Sequence, residues 1–274
     1  MPRTPPPPAS ARSSAPLAIV TGASEGLGRD LARLYAADGH DLVLVARREA
    51  LLTELAHQLE TQFGVTCQVV PADLSRAEER SWLLRRVEPE RARLIALVNN
   101  AGLGSLGQFD QVPAERLQLQ IDVNVSALTH LSRGVLPWMR ANGAGHVMNM
   151  ASVASFTPGP LMAVYYATKA YVLSLSEALH NEYAGTGVTV TAVCPGPTVT
   201  GFQREAGVAS GSGGPPPMTS LRVAELAYRG TRAGQRVVVT GGRNRLAAFA
   251  ARYLPRPVML RVLRQMQERR MARR

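Results

Sequence analysis

One stretch sets what this chain can become: Leu17-Ala18-Ile19-Val20-Thr21-Gly22-Ala23-Ser24-Glu25-Gly26-Leu27-Gly28, with a helical pattern from Arg29 to Asp38 behind it. The short apolar run reads as a buried parallel strand, the glycines mark a turn that bulky side chains would obstruct, and Leu27, Leu31, Leu34 and Tyr35 then recur at helical spacing. The unit is strand, tight turn, helix. The N–H groups of a helix's first turn have no partner within the helix, and the helix dipole adds partial positive charge there, so a diphosphate fits against such a turn. Gly22, Gly26 and Gly28 let the chain turn and let a phosphate reach the backbone, with Ser24, Glu25 and Leu27 between them. A glycine-rich turn is also often only a turn, and the rest of the chain decides between the two.

Strand and helix go on alternating beyond Asp38. A second strand, Asp41 to Ala46, precedes a helix from Glu49 to Phe63 with Leu51, Leu52, Leu55 and Leu59 on one face; a third strand runs from Thr66 to Pro71 and a helix from Ser75 to Val87. Later strands are expected at Leu94 to Val98, His146 to Met150, Val188 to Val193 and Arg236 to Thr240, and helices over Pro113 to Asn142, Tyr165 to Tyr183 and Leu221 to Arg232. Strands alternating with helices of this length imply an α/β doubly wound parallel sheet of about seven strands, covered on both faces in three layers and joined by right-handed crossovers. Residues 1–15 read as a disordered proline-rich tail, 16–242 as the main domain and 243–274 as a basic helical extension packed on it; the Gly-, Ser- and Pro-rich segment 201–218 reads as a long loop of the kind that covers sites.

In such a sheet, ligands lie beyond the carboxyl ends of the strands, so the residues there are the informative ones. The second strand ends at Ala46-Arg47-Arg48. An acid at that place would bind the ribose hydroxyls of NAD, whereas two arginines suit a 2′-phosphate through charge-assisted bonds, which favours NADP. Asp73, ending the third strand, either accepts a hydrogen bond from an adenine amine or caps the next helix. The fourth strand runs into Asn99-Asn100-Ala101-Gly102, small residues that let a cofactor approach or form an ordinary turn. Asn124 lies mid-helix and is either a surface residue or a deliberate polar site. Tyr165 and Lys169 stand four apart on a helix and share a face; a neighbouring ammonium favours phenolate and moves Tyr165 toward a proton donor and acceptor usable near neutral pH. Tyr166 has Ala170 at that spacing, so the pairing selects Tyr165. Ser152, after the fifth strand, is placed to hydrogen-bond a substrate oxygen.

Taken together and in this order, these pieces resemble the short-chain dehydrogenase/reductase family over roughly Pro16 to Gly242. The cofactor motif TGxxxGxG stands at Thr21 to Gly28, NNAG at Asn99 to Gly102, the helix asparagine at Asn124, the active-site serine at Ser152, YxxxK at Tyr165 to Lys169 and PG at Pro195-Gly196. The resemblance implies a Rossmann fold, an NADP(H)-dependent oxidoreductase, Tyr165 as the acid/base on a carbonyl or alcohol oxygen, Lys169 also binding the nicotinamide ribose, and Asn124 holding a water in a proton relay. The segment Pro195 to Thr200 would pass beneath the nicotinamide, with Thr198 and Thr200 both candidates to bind it. By the same analogy the substrate is a 3-oxoacyl thioester or another lipid-like or steroid ketone. The alternative from a different class is a catalytically silent NADP-binding sensor or scaffold.

Composition bounds the partners. Thirty-one Lys and Arg against twenty Asp and Glu give a net charge of +11, which invites a nucleic-acid or anionic-membrane reading. Residues 252–274 hold eight arginines and one acid, Glu268, so the excess belongs largely to the C-terminus and nucleic acid is not expected as a partner. That segment mixes apolar and basic residues at helical spacing, which suits a helix packed on its own domain or on another subunit, or one lying on an anionic membrane. Cys67 and Cys194 are too few and too far apart for a disulfide framework or a zinc site and read as buried thiols. The N-terminus lacks the apolar core of a secretory signal, so the expectation is a cytoplasmic protein. The family resemblance implies a small-molecule carbonyl or alcohol substrate and a homo-oligomer, a dimer or tetramer.

Overall fold

The structure, a computed structural model, describes residues 14–201, 217–251 and 253–272. The tail reading, up to residue 13, and most of the loop reading over 201–218 lie outside the described residues. Strand β1 (Leu17–Thr21) leads through the glycine turn into α1 (Gly26–Ala37). There follow β2 (Asp41–Ala46), α2 (Glu49–Phe63), β3 (Cys67–Pro71), α3 (Ala77–Val87) and β4 (Leu94–Asn99). The second half runs through α4 (Ala114–Ile121), α5 (Leu128–Asn142), β5 (Gly145–Met150), α6 (Ala163–Glu182) and β6 (Val188–Cys194). A two-strand ribbon, β7 (Thr198–Val199) with β8 (Met218–Thr219), precedes α7 (Ser220–Arg232), β9 (Val237–Val239), α8 (Gly242–Ala250) and α9 (Arg256–Met271).

Seven strands form one parallel sheet in the order β3-β2-β1-β4-β5-β6-β9. The order reverses between β1 and β4, which opens a crevice at their carboxyl ends. Side chains alternate across each strand, so Ala18 and Val20 pack on one face with Leu31, Leu52, Leu59 and Ala224, while Leu17 and Ile19 pack on the other with Leu83, Leu131 and Val135. The expected three-layer doubly wound architecture is present. Among the described residues no helix is long and apolar enough to cross a membrane.

Three local readings are corrected. The helix expected over Pro113 to Asn142 is interrupted at Asp122–Ala127 by a π turn. There the buried Arg80 donates from Nη1 to the Asp122 carbonyl at 3.2 Å, and Asn124 bonds to a distant loop, so the wider turn is held from both sides. The helix expected from Ser75 begins at Ala77, because the Asp73 carboxylate takes the Ser75 N–H at 3.0 Å and its hydroxyl at 2.8 Å and closes a turn ahead of the helix. Cys194 is buried as expected, but Cys67, at the start of an edge strand, is only half-buried.

Candidate functional site

The glycine turn is fixed by hydrogen bonds from β1 and β4. Thr21 Oγ1 donates to the Val98 carbonyl at 3.1 Å and accepts the N–H groups of Asn100 and Ala101, each at 3.0 Å. The Asn100 amide donates back to the carbonyls of Thr21 and Gly22 at 3.0 and 3.2 Å. Gly22 and Gly26 adopt φ of 64° and 55°. A methyl group on Gly28 would lie 2.1 Å from the Gly22 oxygen, so no side chain is admissible there. Glu25 caps α1 without a side-chain bond to it, and the first turn carries no acid, which leaves its N–H groups facing the crevice for an anion.

Ser24, Glu25, Arg47, Arg48 and Asp73 line the adjoining part of one cavity of about 840 Å³. Arg48 lies across the turn, 2.9 Å from Glu25 Oε1 and 3.1 Å from Ser24 Oγ. Both groups are well exposed, so this pair orients the guanidinium more than it stabilises the fold. No acid stands at the end of β2. Both hydrogen bonds to the Asp73 carboxylate use Oδ1, within its own turn, while the residue still faces the cavity. These features fit a dinucleotide with a phosphorylated ribose: a backbone cradle that a Cβ would fill, a helix N-terminus and two cations at the ribose end.

The cavity continues to Ser152, Tyr165 and Lys169. Ser152 caps the short turn Val153–Phe156, accepting the Ala154 N–H at 3.1 Å, and Ser155 reciprocates at the Ser152 N–H. Ser155 also donates to the Lys169 carbonyl at 2.7 Å, which ties this turn to α6. Val153 N–H bonds the Pro195 carbonyl at 2.9 Å and brings Pro195-Gly196 beside Ser152. Thr198 Oγ1 donates to the Gly196 carbonyl at 2.9 Å, whereas Thr200 rests on Gly26, its Cβ 3.2 Å from where a Gly26 methyl would be. Leu161, just before α6, holds φ of 63°, an unfavourable region for a branched residue, and delivers Met162 into the cavity.

The side chains of Ser152 and Tyr165 are hydrogen-bonded, and burial nonetheless pushes the Tyr165 phenol up to about 12. The expectation that Lys169 governs this phenol is corrected. Lys169 Nζ donates to the Met150 carbonyl at 2.7 Å and lies 5.9 Å from the Tyr165 ring centroid, while burial brings the ammonium down to about 8. At neutral pH Tyr165 is a protonated donor and Lys169 a cation. Asn124 is not a surface residue. It is 1% exposed, its Oδ1 accepts the Leu103 N–H at 3.0 Å, and its Nδ2 donates to the Leu103 carbonyl at 2.9 Å and to Thr168 Oγ1 at 3.0 Å. Gly102 fits beneath, where a methyl would come within 3.3 Å of Lys169 Nζ.

The structure brings together every residue singled out from the sequence except Asn124, which does not line the cavity but holds one of its walls. Sequence reasoning missed Thr21 and Ser155 as positioning residues, and it missed the far wall, supplied by α9 through Val258, Met259, Val262 and Met266. The four-residue apolar spacing of that wall is visible in the chain, but its direction is not.

Comparison with known proteins matches this geometry. The short chain dehydrogenase family profile matches residues 16–209. An uncharacterised oxidoreductase of Staphylococcus epidermidis is 36% identical over 180 residues, 66% of this chain and 76% of its own length. A short-chain dehydrogenase from Sphingobium yanoikuyae, solved in complex with NADPH, superposes with a TM-score of 0.79 at 35% identity, covering 87% of this chain and 93% of that one. A bulky-bulky ketone specific alcohol dehydrogenase from Comamonas testosteroni gives 0.76 at 30% identity, with 88% and 93% covered. With the glycine cradle, the Ser152-Tyr165 contact and Lys169 on one crevice, the chain belongs to the short-chain dehydrogenase family.

Proposed function

We propose that this chain is an NADP(H)-dependent oxidoreductase that interconverts a ketone and a secondary alcohol, with a lipid-like ketone such as a 3-oxoacyl thioester or a steroid as its substrate class. The observation that carries the reading is that the bonded Ser152-Tyr165 pair and Lys169 open onto the same cavity as the glycine turn. The cofactor is held by Gly22, Ser24, Glu25, Gly26, Leu27 and Gly28 at its diphosphate and by Arg47 and Arg48 at its ribose phosphate. Asp73 and the Asn100-Ala101-Gly102 turn border the adenosine side, while Pro195, Gly196, Thr198 and Thr200 close the nicotinamide side. When bound, NADPH supplies a hydride to the carbonyl carbon.

Everything else falls to the protein's own groups. Ser152 donates a hydrogen bond to the substrate oxygen and stabilises the charge developing there. Tyr165, protonated at neutral pH, gives its proton to that oxygen as it becomes a hydroxyl; in reverse it takes the proton back. Lys169 stabilises the phenolate left behind and contacts the nicotinamide ribose, and Asn124 keeps its place beside a relay water. A homo-oligomer is part of the proposal, with Leu246, Phe249 and Tyr253 offering exposed apolar surface on α8 and just beyond it.

The test is NADPH consumption by the purified protein against a panel of apolar ketones. Removing the acid in Tyr165→Phe lowers turnover about 100- to 10,000-fold while NADPH binding stays close to wild type. Turnover by Tyr165→Phe within about 10-fold of the wild type contradicts the assignment.

A further inference from the structure

The cavity does not end at Tyr165. Its far wall is α9, which presents Val258, Val262 and Met266 at four-residue spacing. Val258 and Val262 line the cavity yet keep 46% and 52% of their surface exposed, more apolar surface than a closed core leaves, so this wall suits an apolar ligand body. Beyond it the chemistry changes. Gln267 is 2% exposed, donates from Nε2 to the Tyr166 hydroxyl at 3.3 Å and accepts from Arg270 Nη1 at 3.4 Å. Tyr166 is itself fixed, since its ring packs against Gly159, where a methyl would come within 2.2 Å.

Arg270 lines the cavity, and its buried Nε has no hydrogen-bond partner among the described residues. The two acids of the cavity lining, Glu25 and Asp73, both stand at the glycine-turn end. Glu268, the one acid of α9, bonds Arg264 on the exposed side of the helix at 2.8 Å. Arg270 has no ion-pair partner among the described residues, and a guanidinium partly withdrawn from water without a counter-charge is an unfavourable arrangement that an anionic ligand relieves.

We propose that Arg270, oriented by Gln267, recognises an anionic group on the substrate, and that the substrate class is an apolar ketone or its alcohol carrying a carboxylate at some distance from the carbonyl. The proposal rests on the oxidoreductase reading, since it names the substrate of that same cavity. Gln267 sits on the hydroxyl of Tyr166, whose ring is 6.0 Å from that of Tyr165, so the carboxylate lies several bonds beyond the reacting carbon.

The test pairs two measurements. First, NADPH-dependent reduction is compared for medium-chain oxo-acids and their methyl esters; second, decanoate and decanol binding to the NADPH-loaded protein is measured by calorimetry. The wild type prefers acid over ester in kcat/KM and decanoate over decanol by about 10- to 100-fold, as a charge-assisted pair implies. Arg270→Gln erases both preferences, mainly through KM, and Arg270→Lys restores part of them. Arg264→Gln, outside the cavity, keeps both. Ketone reduction that favours the esters, with decanoate binding unmoved by Arg270→Gln, overturns the proposal. If decanoate binds through Arg270 but no ketone consumes NADPH, the anion site stands and the oxidoreductase reading fails.

Discussion

Substituting Gly28 by alanine probes the cradle on which the cofactor reading depends. The added methyl would lie 2.1 Å from the Gly22 oxygen, 2.8 Å from the Gly22 carbonyl carbon and 2.5 Å from Asn100 Nδ2. Carbon and oxygen approach to about 3.3 Å at closest in ordinary contacts. The start of α1 must therefore retreat by over about 1 Å from the turn that faces it, and two of the three obstructing atoms are backbone. Overpacking of this kind costs about 3 kcal/mol, which in a chain of this size lowers the thermal midpoint by about 6–12 °C. The same retreat moves the first-turn N–H groups away from a diphosphate. Losing one or two bonds to a charged group weakens NADPH binding by about 100-fold.

The assay is thermal unfolding without cofactor and a fluorescence titration with NADPH. Gly26→Ala is the milder companion, with φ of 55° and Thr200 at 3.2 Å, and costs about 1 kcal/mol. Gly242→Ala is the control: nothing lies within 4 Å of its added methyl, so stability holds or rises by up to about 1 kcal/mol. A Gly28→Ala protein that melts with the wild type and binds NADPH equally well refutes the reasoning.

Two further predictions concern pH and cofactor choice. His146 is buried with its Nε2 hydrogen-bonded to the Tyr35 hydroxyl at 2.8 Å, and burial brings its imidazole from 6.5 down to about 3. Below pH 6.5 the unfolded chain takes up a proton that the folded protein refuses, so stability present at neutral pH is lost progressively as pH falls toward 3. Midpoints measured from pH 7.5 to pH 4.5 show that fall, and His146→Gln flattens it; a slope identical in both proteins contradicts the assignment. At the ribose end, replacing Arg47 and Arg48 together by alanine weakens NADPH at least about 10-fold and NADH little. Equal loss of both cofactors, read by titration, removes the arginines from the 2′-phosphate.

The fold was legible because its signals are local. Apolar runs ending in turn residues, and helices with one apolar face, specified the seven strands of the sheet. Strand ends located Gly22 to Gly28, Arg47 and Ser152, and the four-residue spacing to Lys169 on one helix located Tyr165, without any knowledge of contacts. The features that the chain concealed depend on residues far apart. The π turn at Asp122–Ala127 is held by Arg80 and Leu103, neither of which is within reach in sequence. The behaviour of Tyr165 was misjudged because the four-residue spacing reveals that Lys169 shares its helix face, but not that Met150 takes the amine and that burial dominates both groups. Asp73 offered two readings of one side chain, and its Oδ1 serves the turn. The basic, apolar C-terminus carried no sign of its direction; the structure lays α9 along the cavity and leaves Leu246, Phe249 and Tyr253 exposed.

The most direct test of the central claim follows the transferred atom. The protein is incubated with an apolar ketone and NADPH carrying deuterium at both hydrogens of the transferring carbon of the nicotinamide, and the alcohol is read by mass spectrometry. The account predicts one deuterium on the carbinol carbon in the wild type, and labelled alcohol formed about 100- to 10,000-fold more slowly with Tyr165→Phe. Alcohol formed without the label, or NADPH bound and never oxidised in the presence of any ketone, contradicts it.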